Sequence, residues 1–99
     1  MNILQEADEI IHGKRNDDYG SPLANHSQTA TLWNTYLNYK KVKEISAKDV
    51  CIMNILQKIS RYQNKPTRDT IVDIAGYTGN LEMINDEEML KMQERNDKR

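Results

Sequence analysis

Apolar residues recur along this chain at the spacing of an α-helix, and this periodicity limits the folds that the chain can adopt. In the first segment they occupy positions i, i+1, i+4, i+7 and i+8, which lie on one face of a helix. The members of this stripe are Ile3, Leu4, Ala7, Ile10 and Ile11. No Asn-Gly or Asp-Gly pair joins alternating runs, so the usual hairpin signal is missing from the sequence. The sequence therefore predicts an all-α fold, a small four-helix bundle with a long first loop.

Capping residues and a proline indicate where the predicted helices begin and end. Gly13 follows the first stripe and suits a helix C-terminus. Ser21 and Pro22 predict a helix start, because a hydroxyl caps the first turn and proline fits inside it. Ser46 begins a capping-box pattern, and Thr67 is placed to cap the last helix. The predicted helices span about residues 2–11, 22–38, 47–62 and 68–84.

The predicted packing faces make the third helix central, because apolar residues cover much of its circumference. The packing residues expected on its neighbours are Leu23, Ala30, Trp33 and Leu37 of the second helix and Ile71, Val72, Ile74, Ala75, Thr78 and Leu81 of the fourth. Cys51, on the third helix, is expected to pack in the core. Charge density rises sharply near the end of the chain. We therefore predict a helical domain over residues 1–85 and a charged C-terminal tail or short fifth helix over residues 86–99.

Composition excludes several classes of protein. The 99 residues suit one domain, and 14 basic against 15 acidic residues give a net charge of -1. This balance argues against attraction to a nucleic-acid polymer or a membrane, and no apolar run is long enough to span a bilayer. A lone cysteine excludes an internal disulfide and a cysteine-rich zinc site. We expect a cytoplasmic protein that adds to its modest core by forming a homo-oligomer, a dimer or higher.

Polar residues interrupt the apolar faces of the third and fourth helices at helical spacing. These residues are Asn54, Lys58 and Arg61 on the third helix and Asp69, Asp73 and Tyr77 on the fourth. A short connection makes the two helices antiparallel neighbours, so the basic residues are expected to face the acidic ones. Two interpretations remain open. The pairs form salt bridges on a solvated edge, or they line a cleft that binds phosphate or a metal.

The connection between the first two helices is long, irregular and rich in polar chemistry. Arg15 offers planar, bidentate donors for phosphate, and Tyr19 offers a ring and a hydroxyl. Gly13 and Gly20 permit backbone conformations and close approaches that other residues do not. The helix N-terminus that follows attracts anions. The alternative is that Arg15, Tyr19 and His12 only pin the loop to the bundle.

At this connection the chain resembles a known family. The pattern H-G-x-R-x-x-x-Y-G-x-P over residues 12–22 resembles that of small phage and prophage proteins of unassigned function. Further matching positions are Asn25, Trp33, Leu37, Lys58, Arg61 and the run 69–77. The resemblance covers about residues 3–84. More distantly, the chain resembles domains associated with nucleotide modification in phage-type gene clusters, which implies a nucleotide ligand and, for a phage-encoded chain, the cytoplasm of the host cell.

The all-α nucleotide pyrophosphohydrolases are also small helical bundles, and the chain is similar to them in that respect. Their chemistry uses paired carboxylate motifs on two helices to hold Mg²⁺ on a triphosphate. Here Asp69 and Asp73 face Lys58 and Arg61, so the carboxylate set is incomplete within one chain, although a dimer can complete it. Basic residues at these positions suit holding phosphate better than hydrolysing it.

Three functions follow from this pattern. The first is a phage-encoded protein that captures a small nucleotide, such as a host immune signal, in an anti-defence role, without a resident cofactor or catalytic residue. The second is a Mg²⁺-dependent nucleotide pyrophosphohydrolase that uses Asp69 and Asp73. The third is an adaptor that binds a host protein. The residues predicted to bind the nucleotide are His12, Gly13, Arg15, Tyr19, Gly20, Asn25, Lys58, Arg61, Asp69, Asp73 and Tyr77.

Overall fold

The fold was obtained as a computed structural model that describes residues 1–13, Asp18 and residues 20–98. These residues form four helices, which are α1 (Ile3–His12), α2 (Pro22–Lys40), α3 (Ala47–Asn64) and α4 (Arg68–Asp97). No strand occurs within the described ranges. The predicted all-α class with four helices is confirmed.

Side-chain caps fix the starts of the helices, as the sequence predicts. Ser46 Oγ accepts a hydrogen bond from the Asp49 amide at 3.1 Å, and Asp49 Oδ2 accepts one from the Ser46 amide at 3.0 Å. Ser21 caps α2 and Thr67 caps α4, each accepting a bond from the backbone amide three residues ahead. These bonds satisfy amides that have no partner inside the helix.

The last helix is longer than the sequence pattern predicts. Residues 86–97, expected as a charged tail or a separate short helix, form the final turns of α4. No glycine or proline follows Gly79, so nothing in the sequence stops the helix. The segment is also rich in Glu, Lys, Met, Gln and Arg, which are strong helix formers.

The central helix of the structure is α3, as predicted, because α2 packs on one side of it and α4 on the other. The α2 contact includes a hydrogen bond that Trp33 Nε1 donates to the Met53 carbonyl oxygen at 2.6 Å. At the far end of the same pair, Gln28 bonds to Gln63 and accepts a bond from Asn64. Both helix pairs run antiparallel, so residues far apart in sequence meet at defined levels of the bundle.

The buried positions of α2 differ from those that the apolar pattern predicts. Leu23 and Ala30 are exposed, whereas the polar residues Asn25 and Thr29 are buried. Thr29 satisfies its hydroxyl within the helix by donating to the Asn25 carbonyl oxygen. The prediction for Leu23 and Ala30 was wrong because the face of α2 that meets α3 is rotated toward these small polar side chains.

The packing face of α4 is also rotated from the predicted one. The half-buried positions are Ile74, Tyr77, Leu81 and Ile84, which follow one another at spacings of three and four residues. The exposed positions are Ile71, Val72, Ala75 and Thr78, which the apolar pattern assigns to the packing face. Each residue turns about 100° around a helix axis, so apolar residues beside the contact stripe point away from α3. Cys51 of α3 is buried, as predicted.

The first helix stands apart from the other three. Of the four described helices, α1 packs against none of the others. Its apolar stripe is exposed, with Ile3 83% and Leu4 80% exposed. Within the described part of the chain, no helix is both long enough and apolar enough to cross a membrane.

Candidate functional site

An ion pair between α3 and α4 marks the centre of the candidate site. Lys58 Nζ lies 3.0 Å from Asp73 Oδ2. The Lys58 side chain is 17% exposed, whereas that of Asp73 is 48% exposed. The sequence predicts that basic residues of α3 face acidic residues of α4. For Lys58 and Asp73 this prediction is confirmed. Lys58 is therefore the more buried partner of the ion pair, and Asp73 is the more exposed one.

An open depression adjoins this ion pair. Its volume is about 530 Å³, and its lining residues are Lys58, Val72, Asp73, Gly76, Tyr77 and Asn80. We call it the α3–α4 depression. A volume of this size falls in the range of sites for small ligands. Three residues predicted to bind the ligand, Lys58, Asp73 and Tyr77, thus share one concave surface.

The backbone of α4 is accessible in this depression at Gly76. A Cβ placed at Gly76 meets no atom of the described residues within 4 Å, and the same holds at Gly79. The sequence marks both glycines as costly in a helix, which suggests close approach by another backbone or a ligand. Within the described chain no such group covers them. Gly76 therefore leaves open space directly beside Asp73 and Tyr77.

The donors and acceptors of the depression are varied. The Lys58 ammonium has three donors and forms an ion pair with Asp73. The Asn80 amide supplies both donors and an acceptor, and Tyr77 supplies an aromatic ring and a hydroxyl. These groups can together hold an anionic group and a planar group with polar edges.

Two further residues of the predicted stripes lie near the depression without lining it. Arg61 is half-buried on α3, one turn beyond Lys58 and on the same face. Asp69 is exposed in the first turn of α4, one turn before Asp73. Neither belongs to the lining of the depression.

His12 lies at the end of α1, and its ring contacts its own helix. His12 Nδ1 is 3.0 Å from the Asp8 carbonyl oxygen and 3.1 Å from Asp8 Oδ1. Gly13 follows as the C-cap, where a Cβ would lie 2.7 Å from the Glu9 carbonyl oxygen. A side chain at this position would require the backbone to shift. The structure thus gives Gly13 a role in ending α1, as the sequence predicts.

Two predicted site residues, one just before α2 and one in its first turns, have distinct environments. Gly20 has φ +81°, a left-handed conformation that favours glycine. Asn25 is 5% exposed, and its Oδ1 has no hydrogen-bond partner among the described residues. Arg15 and Tyr19 lie outside the described residues, so their proposed roles stay predictions.

The described part of this connection is attached to α3. Lys65 Nζ lies 2.8 Å from Asp18 Oδ1, and both side chains are partly buried. This ion pair fixes the approach to α2 at the C-terminal end of α3. Lys65 could not be recognised from the sequence, because nothing local relates it to a residue 47 positions away.

The lining of the depression includes residues that were not predicted as site residues. Asn80 and Val72 are the clearest cases. Asn80 was detectable in principle, because it follows Asp73 at i+7 and Tyr77 at i+3 and so shares their face. Val72 was assigned to the packing face, and the rotation of α4 brings it to the rim instead.

A second polar contact joins α2 to the start of α3, far from the depression. The Tyr36 hydroxyl donates to Asp49 Oδ1 at 2.5 Å. Burial, together with this hydrogen bond to Asp49, raises the pKa of Tyr36 to about 12. The same hydroxyl, aided by the Ser46 amide, lowers the pKa of the Asp49 carboxyl. Both Asp49 oxygens are engaged, so this carboxylate is committed to structure.

The described residues contain no convergent group of three His, Cys, Asp or Glu side chains. Within the α3–α4 depression, Asp73 supplies the carboxylate and Lys58 the cation. This donor set suits an anionic ligand better than a cluster of divalent cations.

Comparison with known proteins gives the family of the chain. A family model described as a domain of unknown function, DUF6378, matches residues 2–85. The chain belongs to the DUF6378 family. The matched segment contains every residue that lines the depression and ends before the last turns of α4. The predicted relationship to phage proteins of unassigned function is confirmed at this level.

Two phage proteins illustrate the relationship. The chain is 48% identical over 85 residues to the Gene 55 protein of Mycobacterium phage L5, covering 85% of this chain and 53% of that protein. It is 44% identical over 87 residues to the Gene 55 protein of Mycobacterium phage D29, covering 87% of this chain and 55% of that protein. The chain thus spans about half the length of the curated relatives it matches. No solved structure matches the chain.

Proposed function

We propose that this DUF6378 protein binds a phosphate-bearing small molecule of the nucleotide class in the α3–α4 depression. The observation that carries the proposal is the position of Lys58. Its side chain is largely buried, pairs with the carboxylate of Asp73, and lines a depression of about 530 Å³. A ligand phosphate placed there would meet charged donors in a partly dehydrated site.

The electrostatics of the ion pair favour an added anion. Asp73 is about half exposed, so water and salt screen its attraction for Lys58 more than they would screen the attraction between two buried charges. A phosphate oxygen can accept a bond from Lys58 while Asp73 stays paired with it, because the ammonium has three donors. Arg61, on the same face of α3, adds positive charge one turn away.

The remaining lining residues fit the other parts of a nucleotide. The Tyr77 ring offers a surface for stacking a base, and the Asn80 amide can pair with polar base edges. Asp73 is an acceptor for sugar hydroxyls. The open space at Gly76 lets a planar group approach the α4 backbone. A host nucleotide signal is one ligand of this class, and its capture by a phage protein would serve against host defence.

Hydrolysis of the ligand is the second candidate function. A Mg²⁺-dependent pyrophosphohydrolase needs several carboxylates around the metal ions. Asp69 and Asp73 lie one turn apart on α4, but Asp73 is paired with Lys58 and Asp69 lies outside the depression. Binding without hydrolysis agrees better with this donor set. An adaptor that binds a host protein is the third candidate, and in that case the charged stripes are structural.

Thermal-shift measurements and calorimetry test the proposal. The probes are inorganic phosphate, AMP, ATP and a cyclic dinucleotide, each added to the full chain. A ligand that binds the folded state raises the melting temperature as its concentration rises. Lys58→Met is expected to weaken binding of the effective probe at least tenfold. Lys48→Met is the matched control, because Lys48 also forms an ion pair between α3 and α4, with Glu88 at 3.0 Å.

The outcomes separate the candidate functions. Binding that Lys58→Met weakens and Lys48→Met preserves supports the proposal. Equal weakening by both variants, or no response to any nucleotide, contradicts it. Pyrophosphate release from ATP in the presence of Mg²⁺, abolished by Asp73→Asn, would favour the hydrolase instead.

A further inference from the structure

The lining of the α3–α4 depression contains one positive and one negative side chain. These are Lys58 and Asp73, whose Nζ and Oδ2 atoms lie 3.0 Å apart. The other lining residues are of uncharged types, namely Val72, Gly76, Tyr77 and Asn80. The charges of the lining therefore balance, and an anion that enters the depression meets an ion pair instead of an unopposed cation.

The charged residues that continue the two polar stripes balance in the same way. Arg61 lies one turn beyond Lys58 on α3, and Asp69 lies one turn before Asp73 on α4. Neither of them lines the depression, and their charges are opposite. Sites that hold several phosphates use clustered basic residues or metal ions to offset the charge. The stripes beside the depression provide no such excess of positive charge.

The carboxylate of Asp73 acts on any anion that Lys58 holds. The three donors of an ammonium group point to corners of a tetrahedron. Two oxygens bound to different donors, each about 2.9 Å from the nitrogen, therefore lie about 4.7 Å apart. At this separation Asp73 repels a phosphate oxygen on Lys58 and cancels much of the attraction. The attraction that remains grows only in proportion to the charge of the ligand.

The free energy lost on dehydration grows faster than this attraction. In the Born description, moving an ion out of water costs a free energy proportional to the square of its charge. The Lys58 side chain is 17% exposed, so a phosphate that reaches it gives up part of its hydration. Doubling the charge of the phosphate doubles the attraction and quadruples this cost. A singly charged phosphate therefore suits the depression best.

The number of ester bonds determines the charge of a phosphate. A phosphate monoester carries about −1.5 to −2 at pH 7, because its second pKa is near 6. A diester has no second acidic proton and keeps a single negative charge. A triphosphate carries more charge still, which divalent cations usually offset. The described residues contain no convergent group of three His, Cys, Asp or Glu side chains to hold such a cation.

We propose that the ligand of the depression is a nucleotide phosphodiester, such as a cyclic nucleotide, and that Asp73 selects it against phosphate monoesters. This inference rests on the proposed function, because it specifies the phosphate bound at the same site. Lys58 supplies the attraction for the phosphate, and Asp73 limits the charge that the site accepts. The uncharged Tyr77 and Asn80 contact the rest of the ligand and have no part in this selection.

Calorimetry with a series of ligands of increasing charge tests the selection. The probes are adenosine, the 5′-methyl ester of AMP, and AMP itself, with the corresponding guanosine compounds as a second series. Within a series the base and the sugar are the same, and only the charge at the 5′ position differs. We expect the wild-type chain to bind the methyl ester roughly tenfold more tightly than either the nucleoside or the monoester.

Asp73→Asn tests the role of the carboxylate. The variant removes the repulsion, which acts more strongly on a doubly charged phosphate, so the preference for the methyl ester should fall to about threefold or less. Glu82→Gln is the matched control, because it also removes one negative charge from an exposed position of α4. Glu82 follows Asp73 by nine residues, a rotation of about 900°, and so lies on the opposite face. This control should keep the wild-type preference.

The outcomes distinguish failure of this inference from failure of the proposed function. A wild-type chain that binds the monoester as tightly as the methyl ester overturns the inference and leaves the proposed function standing. A preference that Asp73→Asn leaves unchanged, or that Glu82→Gln alters equally, also overturns it. Binding of the nucleoside as tight as that of the methyl ester, or no binding in either series, contradicts the proposed function as well. The wild-type comparison stands even if Asp73→Asn does not fold, which circular dichroism would reveal.

Discussion

The Tyr36 hydroxyl and the Asp49 carboxylate connect α2 to the first turn of α3 through a hydrogen bond of 2.5 Å. Asp49 also accepts a bond from the Ser46 amide, so one carboxylate serves both the helix cap and the helix–helix contact. This pair has the perturbed pKa values described above, yet it lies about nine residues along α3 from Lys58. It stabilises the bundle and leaves the depression to other residues.

Tyr36 should make the protein sensitive to alkali. Its pKa is raised to about 12, so the folded state keeps a proton that the unfolded chain releases near pH 10. This contribution to stability is complete below about pH 10 and is lost as the pH rises toward 12. Urea unfolding between pH 8 and 11.5 should show a decline that Tyr36→Phe reduces. Tyr39→Phe, at an exposed position, should keep the wild-type decline.

Asp49 should make the protein sensitive to acid. Its pKa in the folded state is lowered, chiefly by the Tyr36 hydroxyl. The carboxylate therefore contributes stability above the unfolded pKa near 3.9, and this contribution is lost as the pH falls through the folded value. Asp49→Asn should flatten the acid limb of melting temperature against pH. An unchanged acid limb would show that other carboxylates dominate it.

Trp33 should report on the contact between α2 and α3. Its indole donates to the Met53 carbonyl oxygen at 2.6 Å, and it is the single tryptophan of the chain. Trp33→Phe removes the donor and part of the ring, at a cost of about 1–2 kcal/mol in the free energy of unfolding. Urea unfolding followed by circular dichroism measures the loss. A cost below about 0.3 kcal/mol would mean that this contact contributes little.

Substitutions at the two glycines of α4 should distinguish effects on stability from effects on nucleotide binding. Gly76→Ala and Gly79→Ala introduce a Cβ into open space, so each should stabilise the helix by about 0.5–1 kcal/mol. Gly76 lines the depression and Gly79 does not. Only Gly76→Ala is therefore expected to weaken nucleotide binding, as calorimetry would show. Weakened binding in Gly79→Ala would place the ligand elsewhere on α4.

Ser60 should tolerate loss of its hydroxyl. It is fully buried, and its Oγ has no hydrogen-bond partner among the described residues. Ser60→Ala removes an unsatisfied polar atom, so we expect a change between zero and about 1 kcal/mol toward greater stability. Thr70→Val is the comparison, because it removes the bond between Thr70 and Thr67 at 2.9 Å and should destabilise by about 1 kcal/mol. Destabilisation by Ser60→Ala would show that this hydroxyl makes a stabilising hydrogen bond.

The helix caps could be predicted from the sequence because each one involves only a few neighbouring residues. The caps at Ser21, Ser46 and Thr67 each involve a side chain and an amide three residues ahead. The meeting of Lys58 and Asp73 was also predictable, because a short connection fixes the register of two antiparallel helices. The periodicity of the apolar residues determined the all-α class in the same way.

Only the tertiary structure decided which face of each helix is buried. Rotation of a helix by one residue moves its contact stripe by about 100°, and the sequence allows several such rotations where apolar residues cover more than one face. The chosen rotation exposes Leu23 and Val72, and places Tyr77 and Asn80 at the depression. Sequence alone thus determined where the helices begin, their caps and the facing of Lys58 and Asp73, but not the length of α4. The uncovered α1 and the open depression depend on long-range packing, which no local pattern specifies.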